Sequence, residues 1–306
     1  MDYELAIIGA GPAGYSAAIY AVRAGVKTIV IDKGAGGGLA AISPNIENYA
    51  GFESISGMDL VDKMKQHASK YTNINFNEEV KKISKKVDEF VIETSKQTYV
   101  SKAVLLCTGT EYRKLNAPGE AELAGKGVSY CATCDGFLFK DKKVAVVGGG
   151  NTALIEAIFL KQIGCKEVYV IHRRDQLRAE KTYQDEAVKK GVKIIYNSQV
   201  ESIHGGQKVE YLTVHDVKTD KKSRLSVDGV FISIGEEPQN SLAKGLGVRL
   251  DERGFVIVDR QQRTNVKGVY AAGDITGGLR QVVTACAEGA VAALASTEVI
   301  GKQYPY

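Results

Sequence analysis

The sequence predicts an α/β fold built from two similar βαβ units. Each unit passes from a short apolar run through a glycine-rich turn into a helical segment, first from residue 5 and again from residue 143. A chain of 306 residues is long enough for two domains with separate cores. Breaks in the pattern near residue 112 and over residues 240–244 indicate where those domains meet.

Composition limits the classes of function. Hydrophobic residues make up 44% and charged residues 25% of the chain, as in ordinary soluble globular proteins. The net charge of +4 is too small to indicate a nucleic acid or an anionic membrane as partner. The most apolar stretch, 282–300, is interrupted by Glu288, Thr297 and Glu298. The first residues are acidic, unlike a signal peptide, so we expect a cytoplasmic protein.

The first unit carries a dinucleotide-binding fingerprint. The predicted strand 5–8 leads into Gly9-Ala10-Gly11-Pro12-Ala13-Gly14, a G-x-G-x-x-G turn, and then into a helix. Such glycines allow a tight turn and close backbone approach, so that a pyrophosphate can lie on the helix N-terminus. The next strand, 28–31, ends in Asp32, 18 positions after Gly14, where an acidic residue binds ribose hydroxyls. We therefore predict a dinucleotide site here.

The rest of the first unit is less specific. Residues 33–38 form a glycine-rich loop close to the expected ligand, and 57–71 show helical periodicity. Short alternating runs near residues 76, 83 and 90–92 predict a small antiparallel insertion. A buried strand, 103–107, then leads into Thr108-Gly109.

A Cys-x-x-Cys pair, Cys131 and Cys134, lies between the two units and is followed by Asp135. In a reducing compartment such a pair is more often catalytic or metal-binding than structural. A zinc site needs two further ligands, and the other three cysteines stand alone. A buried pair of small side chains is a further alternative. We favour a redox pair, with Asp135 handling the proton that thiol chemistry requires.

The second unit repeats the first with a different charge. Strand 143–147 meets Gly148-Gly149-Gly150-Asn151-Thr152-Ala153, a G-x-G-x-x-A turn before a helix. The next strand, 167–171, ends in His172-Arg173-Arg174, with Arg178 one helical turn later. A carboxylate would repel a 2′-phosphate, whereas arginine binds it through charge-assisted hydrogen bonds. The second site therefore suits NADPH and the first an adenosine with a free ribose, the alternative being a basic surface turn.

Further elements complete the pattern. Strands are expected at 193–196, 209–214, 229–232, 255–258 and 268–272, and a small-residue helix at 282–298. Ile234-Gly235 closes the second domain, and Gly273-Asp274 follows the last strand.

In order and spacing, the combined motifs resemble those of the low-molecular-weight thioredoxin reductases over essentially the whole chain. They are Gly9-x-Gly11-x-x-Gly14, Cys131-Ala132-Thr133-Cys134-Asp135, Gly148-x-Gly150-x-x-Ala153, His172-Arg173-Arg174 with Arg178, and Gly273-Asp274 with Arg280-Gln281. The resemblance implies two Rossmann-like, three-layer ββα domains. An FAD-binding domain, 1–111 and 243–306, would be interrupted by an NADPH-binding domain, 112–242, that carries the Cys-x-x-Cys pair.

The resemblance also implies the binding residues. For FAD they are Gly9, Gly11, Pro12, Ala13, Gly14, Asp32, Lys33, Gly38, Asn48, Thr108, Gly109, Gly273, Asp274, Arg280, Gln281 and Val282. For NADPH they are Gly148, Gly150, Asn151, Thr152, Ala153, His172, Arg173, Arg174, Arg178, Ile234 and Gly235.

The implied activity is that of a homodimer that reduces the active-site disulfide of thioredoxin, or of a thioredoxin/glutaredoxin-like protein, with NADPH. Electrons would pass from nicotinamide to flavin and then to the Cys131–Cys134 disulfide. Cys134 would be the sulfur nearer the flavin, and Cys131 would attack the partner disulfide. The NADPH domain would rotate about hinges near residues 112 and 242.

Two positions depart from the family pattern. Leu39 stands where relatives carry a glutamine after the glycine pair, and Ile155 stands where they carry a glutamate. A disulfide reductase fed by NADH, ferredoxin or a deazaflavin is the main alternative function, and the intact arginines count against it. A non-catalytic nucleotide sensor is a second alternative, but it would have no use for Cys-x-x-Cys-Asp.

Overall fold

The computed structural model describes residues 2–43 and 45–304, which divide into two compact units. The first unit comprises residues up to 42, 47–111 and those from 237 onward, and the second comprises 43–46 and 112–236. Pro44, inside the second range, lies outside the described residues.

Strands and helices alternate along most of the chain. The strands are β1 (Tyr3–Ile8), β2 (Thr28–Ile31), β3 (Ile74–Asn75), β4 (Val80–Lys85), β5 (Phe90–Thr94), β6 (Thr98–Leu106), β7 (Thr110–Tyr112), β8 (Val128–Ser129), β9 (Lys143–Val147), β10 (Glu167–Ile171), β11 (Lys193–Ile195), β12 (Ser198–His204), β13 (Tyr211–Asp216), β14 (Lys221–Ser226), β15 (Gly229–Ile232), β16 (Glu236–Pro238) and β17 (Val269–Ala271). The helices are α1 (Pro12–Arg23), α2 (Gly57–Ala68), α3 (Ala132–Asp135), α4 (Asn151–Gln162), α5 (Lys181–Lys189), α6 (Ser241–Gly245) and α7 (Val282–Ile300).

The first unit is organised around a parallel sheet in the order β3-β2-β1-β6-β17, to which β5 and β4 add an antiparallel extension. The register aligns Ile8 with Ile31 on one side and with Leu106 on the other, and Leu106 with Ala271. Parallel strands that end in register bring the segments after them to one edge of the sheet. The turns after β1, β2, β6 and β17 therefore start side by side.

Alternating side chains of β1 enter two different cores, one on each face of this sheet. Leu5 and Ile7 pack with buried alanines of α1 and α7. Ala6 and Ile8 pack on the other face with residues of β4 and β5, such as Ile83 and Ile92. This period of two in a strand covered on both faces produces a three-layer ββα arrangement.

The second unit repeats this plan. Its five strands, in the order β11-β10-β9-β15-β8, are all parallel. Val144 and Val146 of β9 pack against α4 and α5, whereas Ala145 and Val147 pack against the antiparallel sheet β12-β13-β14. The register of Val147 with Ile171 brings the turns after β9 and β10 together.

Some predicted elements differ. The expected strand at 255–258 is wrong, since only Val256 forms an isolated bridge, with Leu250. The amide of Phe255 donates to the carboxylate of Asp251 instead, which occupies the backbone group that a strand would pair. Helix α2 ends at Ala68 rather than at residue 71. Helix α5 was not predicted because it contains few apolar residues, of which only Ala187 is buried.

Among the described residues, α7 is the one helix whose length and composition would suit a membrane span. Core helices of globular proteins share this length and composition. In the first unit α7 packs on α1, where a side chain at Gly289 would lie 2.1 Å from the carbonyl oxygen of Ala13. Ala292 and Ala293 are completely buried in the same core.

Candidate functional site

The turn between β1 and α1 has the geometry of a phosphate cradle. Gly9 has a φ of +110°, and a side chain there would lie 2.2 Å from the carbonyl oxygen of Cys107. A side chain at Gly14 would meet the carbonyl oxygen of Gly9 at 1.9 Å. At Gly11, by contrast, a Cβ atom would have nothing within 4 Å. Two glycines therefore permit close packing, and the third leaves open space beside the helix N-terminus.

The N-terminus of α1 begins without a capping side chain. Gly11 is the N-cap residue and Pro12 occupies the first helical position, and among the described residues no side-chain capping hydrogen bond is made there. Free amide groups and the helix dipole together attract an anion. An open cradle at an uncapped helix N-terminus fits the pyrophosphate of a dinucleotide such as FAD.

Asp32 joins the two neighbouring turns of this site. One carboxylate oxygen accepts the amide of Ala10 at 2.7 Å, and the other accepts the amide of Gly34 at 2.7 Å. Each oxygen retains a lone pair, so Asp32 still fits its predicted role at a ribose. Lys33, also predicted at the flavin site, extends instead to Glu111, with 2.8 Å between ammonium and carboxylate.

Other predicted FAD residues converge on the same edge of the sheet. A Cβ atom at Gly38 would lie 3.8 Å from the Cα atom of Gly11, and one at Gly273 would lie 3.0 Å from the Cβ atom of Ala13. The amide of Asn48 donates to the side-chain oxygen of Gln281, the N-cap residue of α7, at 2.9 Å.

The remaining predicted residues of this group lie around the same turns. Thr108 donates to the carbonyl oxygen of Gln239, whose amide donates back to Gly109. Asp274 begins a 3₁₀ turn directly after Gly273, and Val282 is the first residue of α7. The guanidinium group of Arg280 lies 5.8 Å from the ring centroid of Phe255.

Glu288 belongs to this site although the sequence did not indicate it. Its carboxylate accepts the amide of Gly273 at 2.8 Å and the hydroxyl of Thr276 at 3.1 Å. Burial raises the pKa of Glu288, and these two hydrogen bonds act against that rise. Glu288 therefore holds the Gly273-Asp274 turn against α7. The two positions are 15 residues apart in sequence, so no local motif reveals the contact.

The second glycine turn has a similar cradle. A side chain at Gly148 would lie 2.3 Å from the carbonyl oxygen of Ser233, which places this turn beside the segment leading to Ile234 and Gly235. A Cβ atom at Gly150 would have nothing within 4 Å, and in the described part of the chain α4 has no side-chain capping hydrogen bond at its N-cap residue, Gly150. Ala153 is completely buried. This turn also fits a pyrophosphate, with Asn151 and the exposed Thr152 opening the helix.

The loop after β10 presents three exposed arginines beside that cradle, Arg173, Arg174 and Arg178. In the part of the chain that the structure describes, none of their guanidinium groups has a hydrogen bond or an ion pair. Their charge is therefore available to an anionic ligand such as a 2′-phosphate.

His172 lies beneath this turn, 5% exposed, rather than pointing to solvent. A Cβ atom at Gly149 would be 2.1 Å from its Nδ1 atom, so the imidazole ring packs directly on the glycine backbone. Its Nε2 atom lies 3.0 Å from the carbonyl oxygen of Gln176. Burial lowers the pKa of His172, and the nearby arginines lower it further. His172 therefore supports the turn from inside the second unit.

The Cys131–Cys134 disulfide lies in the second unit, with Cys131 as the N-cap residue of α3. Both cysteines are half-buried, and the other three are free thiols. Nowhere in residues 2–43 or 45–304 do three His, Cys, Asp or Glu side chains gather as metal ligands would.

Asp135 is 8% exposed at the end of α3. Its Oδ2 atom accepts the hydroxyl of Ser129 at 2.6 Å, and Ser129 in turn accepts the amide of Cys131 at 3.1 Å. Burial raises the pKa of Asp135, and the hydrogen bond from Ser129 acts against that rise. A buried carboxyl group that retains a proton more readily than usual lies one residue from a disulfide. Ser129 is a connection that the sequence did not indicate.

The comparisons with known proteins agree with this geometry. A family model described as pyridine nucleotide-disulphide oxidoreductase matches residues 3–289. The chain belongs to this family. Membership of this family, together with the relatives below, implies a flavin and a nicotinamide cofactor.

Several similar proteins are thioredoxin reductases. One from Listeria innocua serovar 6a is 42% identical over 293 residues, which cover 95% of this chain and 91% of that protein. The crystal structure of thioredoxin reductase from Streptococcus pyogenes MGAS5005 is 40% identical, covers 98% of both chains and gives a TM-score of 0.93. A protein of Clostridium pasteurianum named "34.2 kDa protein in rubredoxin operon" is 43% identical over 301 residues, 97% of either chain.

These likenesses make the chain a member of the low-molecular-weight thioredoxin reductases, and hence an oxidoreductase of disulfides. The family resemblance and the α/β fold class predicted from the sequence are confirmed.

Proposed function

We propose that this protein transfers electrons from NADPH, through bound FAD and the Cys131–Cys134 disulfide, to the active-site disulfide of thioredoxin or of a thioredoxin/glutaredoxin-like protein. The half-buried disulfide beside the buried carboxyl group of Asp135 carries the proposal. Such a dithiol exchanges with a protein disulfide through thiolate attack, which requires a nearby proton acceptor.

We assign FAD to the first unit and NADPH to the second, with domains 1–111 and 243–306 for FAD and 112–242 for NADPH. The carboxylate of Asp32 suits a ribose with both hydroxyls free, whereas the three arginines of the second unit suit a 2′-phosphate. Both assignments use a helix N-terminus whose N-cap residue is a glycine, without a side-chain cap.

FAD held by the first cradle would supply two-electron chemistry between a nicotinamide and a disulfide. By the family resemblance, Cys134 would be the sulfur of the pair nearer the flavin, and Cys131 would attack the partner disulfide. Asp135 takes up and returns the proton as the cysteines alternate between thiol and thiolate. Ser129 orients that carboxyl group and the Cys131 amide at the same time.

The surface next to the disulfide suits a protein partner. Phe137 is 57% exposed and Leu138 is 42% exposed, directly after the Cys-x-x-Cys-Asp-Gly segment. Large exposed apolar side chains beside a reactive group are typical of a site that another protein covers. We further propose a cytoplasmic homodimer whose linkers near residues 112 and 242 act as hinges.

Replacing Asp135 with asparagine should slow the thiol–disulfide half-reaction by roughly 10²–10⁴-fold, the usual contribution of a positioned acid–base group. It should also stabilise the fold at neutral pH. Burial raises the pKa of this carboxyl group in the folded protein. The protonated carboxyl group therefore contributes fully to the free energy of unfolding below the ordinary pKa of aspartate, and this contribution is lost as the pH rises through the raised pKa. The melting temperature of the variant, relative to that of the wild type, should therefore rise with pH across that window.

Melting curves and stopped-flow flavin reoxidation by oxidised thioredoxin, both as a function of pH, test these two effects. The same replacement at the exposed Asp88 controls for the loss of one negative charge. An unchanged rate of the thiol step would remove Asp135 from proton transfer.

Anaerobic titration of the FAD-loaded protein with NADPH, and separately with NADH, tests the whole proposal. We expect NADPH to bleach the flavin absorbance at far lower concentration than NADH, and added oxidised thioredoxin to restore it. A protein that stays colourless after incubation with FAD would contradict the proposal. Bleaching by NADH or reduced ferredoxin, but not by NADPH, would favour the alternative donor.

A further inference from the structure

Two polar side chains connect the second glycine turn to the arginine-bearing loop. Asn151, the first residue of α4, donates from its amide to the carboxylate of Glu180 at 2.7 Å. Its oxygen accepts the backbone amide of Glu180 at 2.8 Å. Both hydrogen-bonding groups of Asn151 are therefore used within the protein, 29 residues away in sequence. Asn151, which the sequence predicts to bind NADPH, therefore also joins two segments of the second unit.

The backbone of the two segments is joined beside this pair. The carbonyl oxygen of Gly149 accepts the amides of Arg178 at 2.7 Å and of Ala179 at 3.1 Å. Leu177 and Ala179, on either side of Arg178, are buried in the core of the second unit. The position of Arg178 is thus defined by the same turn that forms the phosphate cradle.

The chemistry of Glu180 is unexpected at this place. A carboxylate two residues after Arg178, in the segment that carries the arginines, reduces the positive potential that a phosphate would encounter. Glu180 is the N-cap residue of α5, but its side chain makes no capping hydrogen bond. The described hydrogen bond of its carboxylate goes to Asn151, which also accepts its backbone amide. The negative charge of Glu180 would weaken phosphate binding, and its hydrogen bonds to Asn151 provide a structural reason for its presence.

We propose that Glu180, through Asn151, is a positioning residue that sets the preference for nucleotides carrying a 2′-phosphate. The paired side chains hold the arginine loop in register with the glycine turn before the nucleotide arrives. Ordering a flexible side chain or loop on binding costs free energy, so a loop ordered beforehand binds its ligand more tightly. The inference rests on the proposed NADPH site and adds two residues that act on its specificity.

Two substitutions separate positioning from charge. Glu180→Ala removes the carboxylate and the hydrogen bond, whereas Glu180→Gln removes the charge and retains an oxygen that can accept from Asn151. Calorimetry on the FAD-loaded protein would use adenosine 2′,5′-bisphosphate and 5′-AMP as probes, which differ only in the 2′-phosphate. We expect Glu180→Ala to weaken binding of the bisphosphate about tenfold and to leave 5′-AMP unchanged. Glu180→Gln should bind the bisphosphate at least as tightly as the wild type.

A purely electrostatic role of Glu180 predicts the opposite change in affinity for the Glu180→Ala variant, so the two explanations can be distinguished. If Glu180 acts only by repelling phosphate, both variants should bind the bisphosphate more tightly than the wild type, which would overturn the inference. Unchanged binding by Glu180→Ala would overturn it as well. A wild-type protein with equal affinity for the two probes would instead contradict the proposed NADPH site. Melting curves of both variants identify any loss that comes from unfolding.

Discussion

Replacing Cys134 with serine should abolish turnover of a protein disulfide, by roughly 10³-fold or more, as removal of a covalent participant does. Bound flavin should still be bleached by NADPH, because neither glycine turn involves this sulfur. Cys131 would remain as a half-buried single thiol without the partner that its exchange chemistry requires. Anaerobic flavin absorbance and a thioredoxin reduction assay measure the two halves separately.

Cys165→Ala is the matched control for this variant. Cys165 belongs to the same unit, is buried, and does not take part in the disulfide. Burial raises the pKa of its thiol to about 11, so it remains protonated at neutral pH. Turnover by this control should resemble that of the wild type. Persistent reduction of thioredoxin by the Cys134 variant would refute the electron path through the disulfide.

Replacing Arg173 and Arg174 together with alanine should raise KM for NADPH by about 10²-fold or more and change KM for NADH little. Each hydrogen bond to a charged group contributes about 1.5–3 kcal/mol, and 1.4 kcal/mol is a factor of ten in affinity. Both side chains are exposed and their guanidinium groups have no protein partner among the described residues, so their loss leaves no buried group unsatisfied. Steady-state kinetics with each nucleotide measure the ratio.

The double replacement of Lys221 and Arg224 is the control, since it removes the same charge from the same unit. Both residues lie on β14, an exposed strand of the antiparallel sheet. An equal rise of KM for NADPH and NADH in the Arg173/Arg174 variant would mean that these arginines do not read the 2′-phosphate. An effect of similar size in the control would point to the overall charge instead.

The fold class was predictable because strand, glycine turn and helix follow one another within a few residues. Gly9 and Gly148 indicate a close approach of two backbone segments that only glycine allows. The apolar runs before them are strands that are buried on both faces. Such local patterns contain most of the information needed for a βαβ unit. The short segment 255–258 was misread because Asp251 takes its backbone amide, which apolar composition does not reveal.

The candidate site was predictable in part for the same reason. The Cys-x-x-Cys-Asp segment and the arginine cluster are contiguous, whereas Glu288 and Glu180 act through hydrogen bonds to other turns. Glutamate in a helix or at its start is common on protein surfaces, so its residue type is uninformative there. These partners could be found only once the sheet had brought distant turns to one edge.

Helix α7 and strand β17 complete the first unit's core and sheet, yet both follow the whole second unit along the chain. During translation at about 5–20 residues per second, the N-terminal strands must therefore wait on the order of ten seconds for their last partners. The whole second unit is therefore synthesised before the first unit can complete its sheet and its core. Until then the face of α1 around Ala13, later covered by Gly289, is exposed to water and to chaperones.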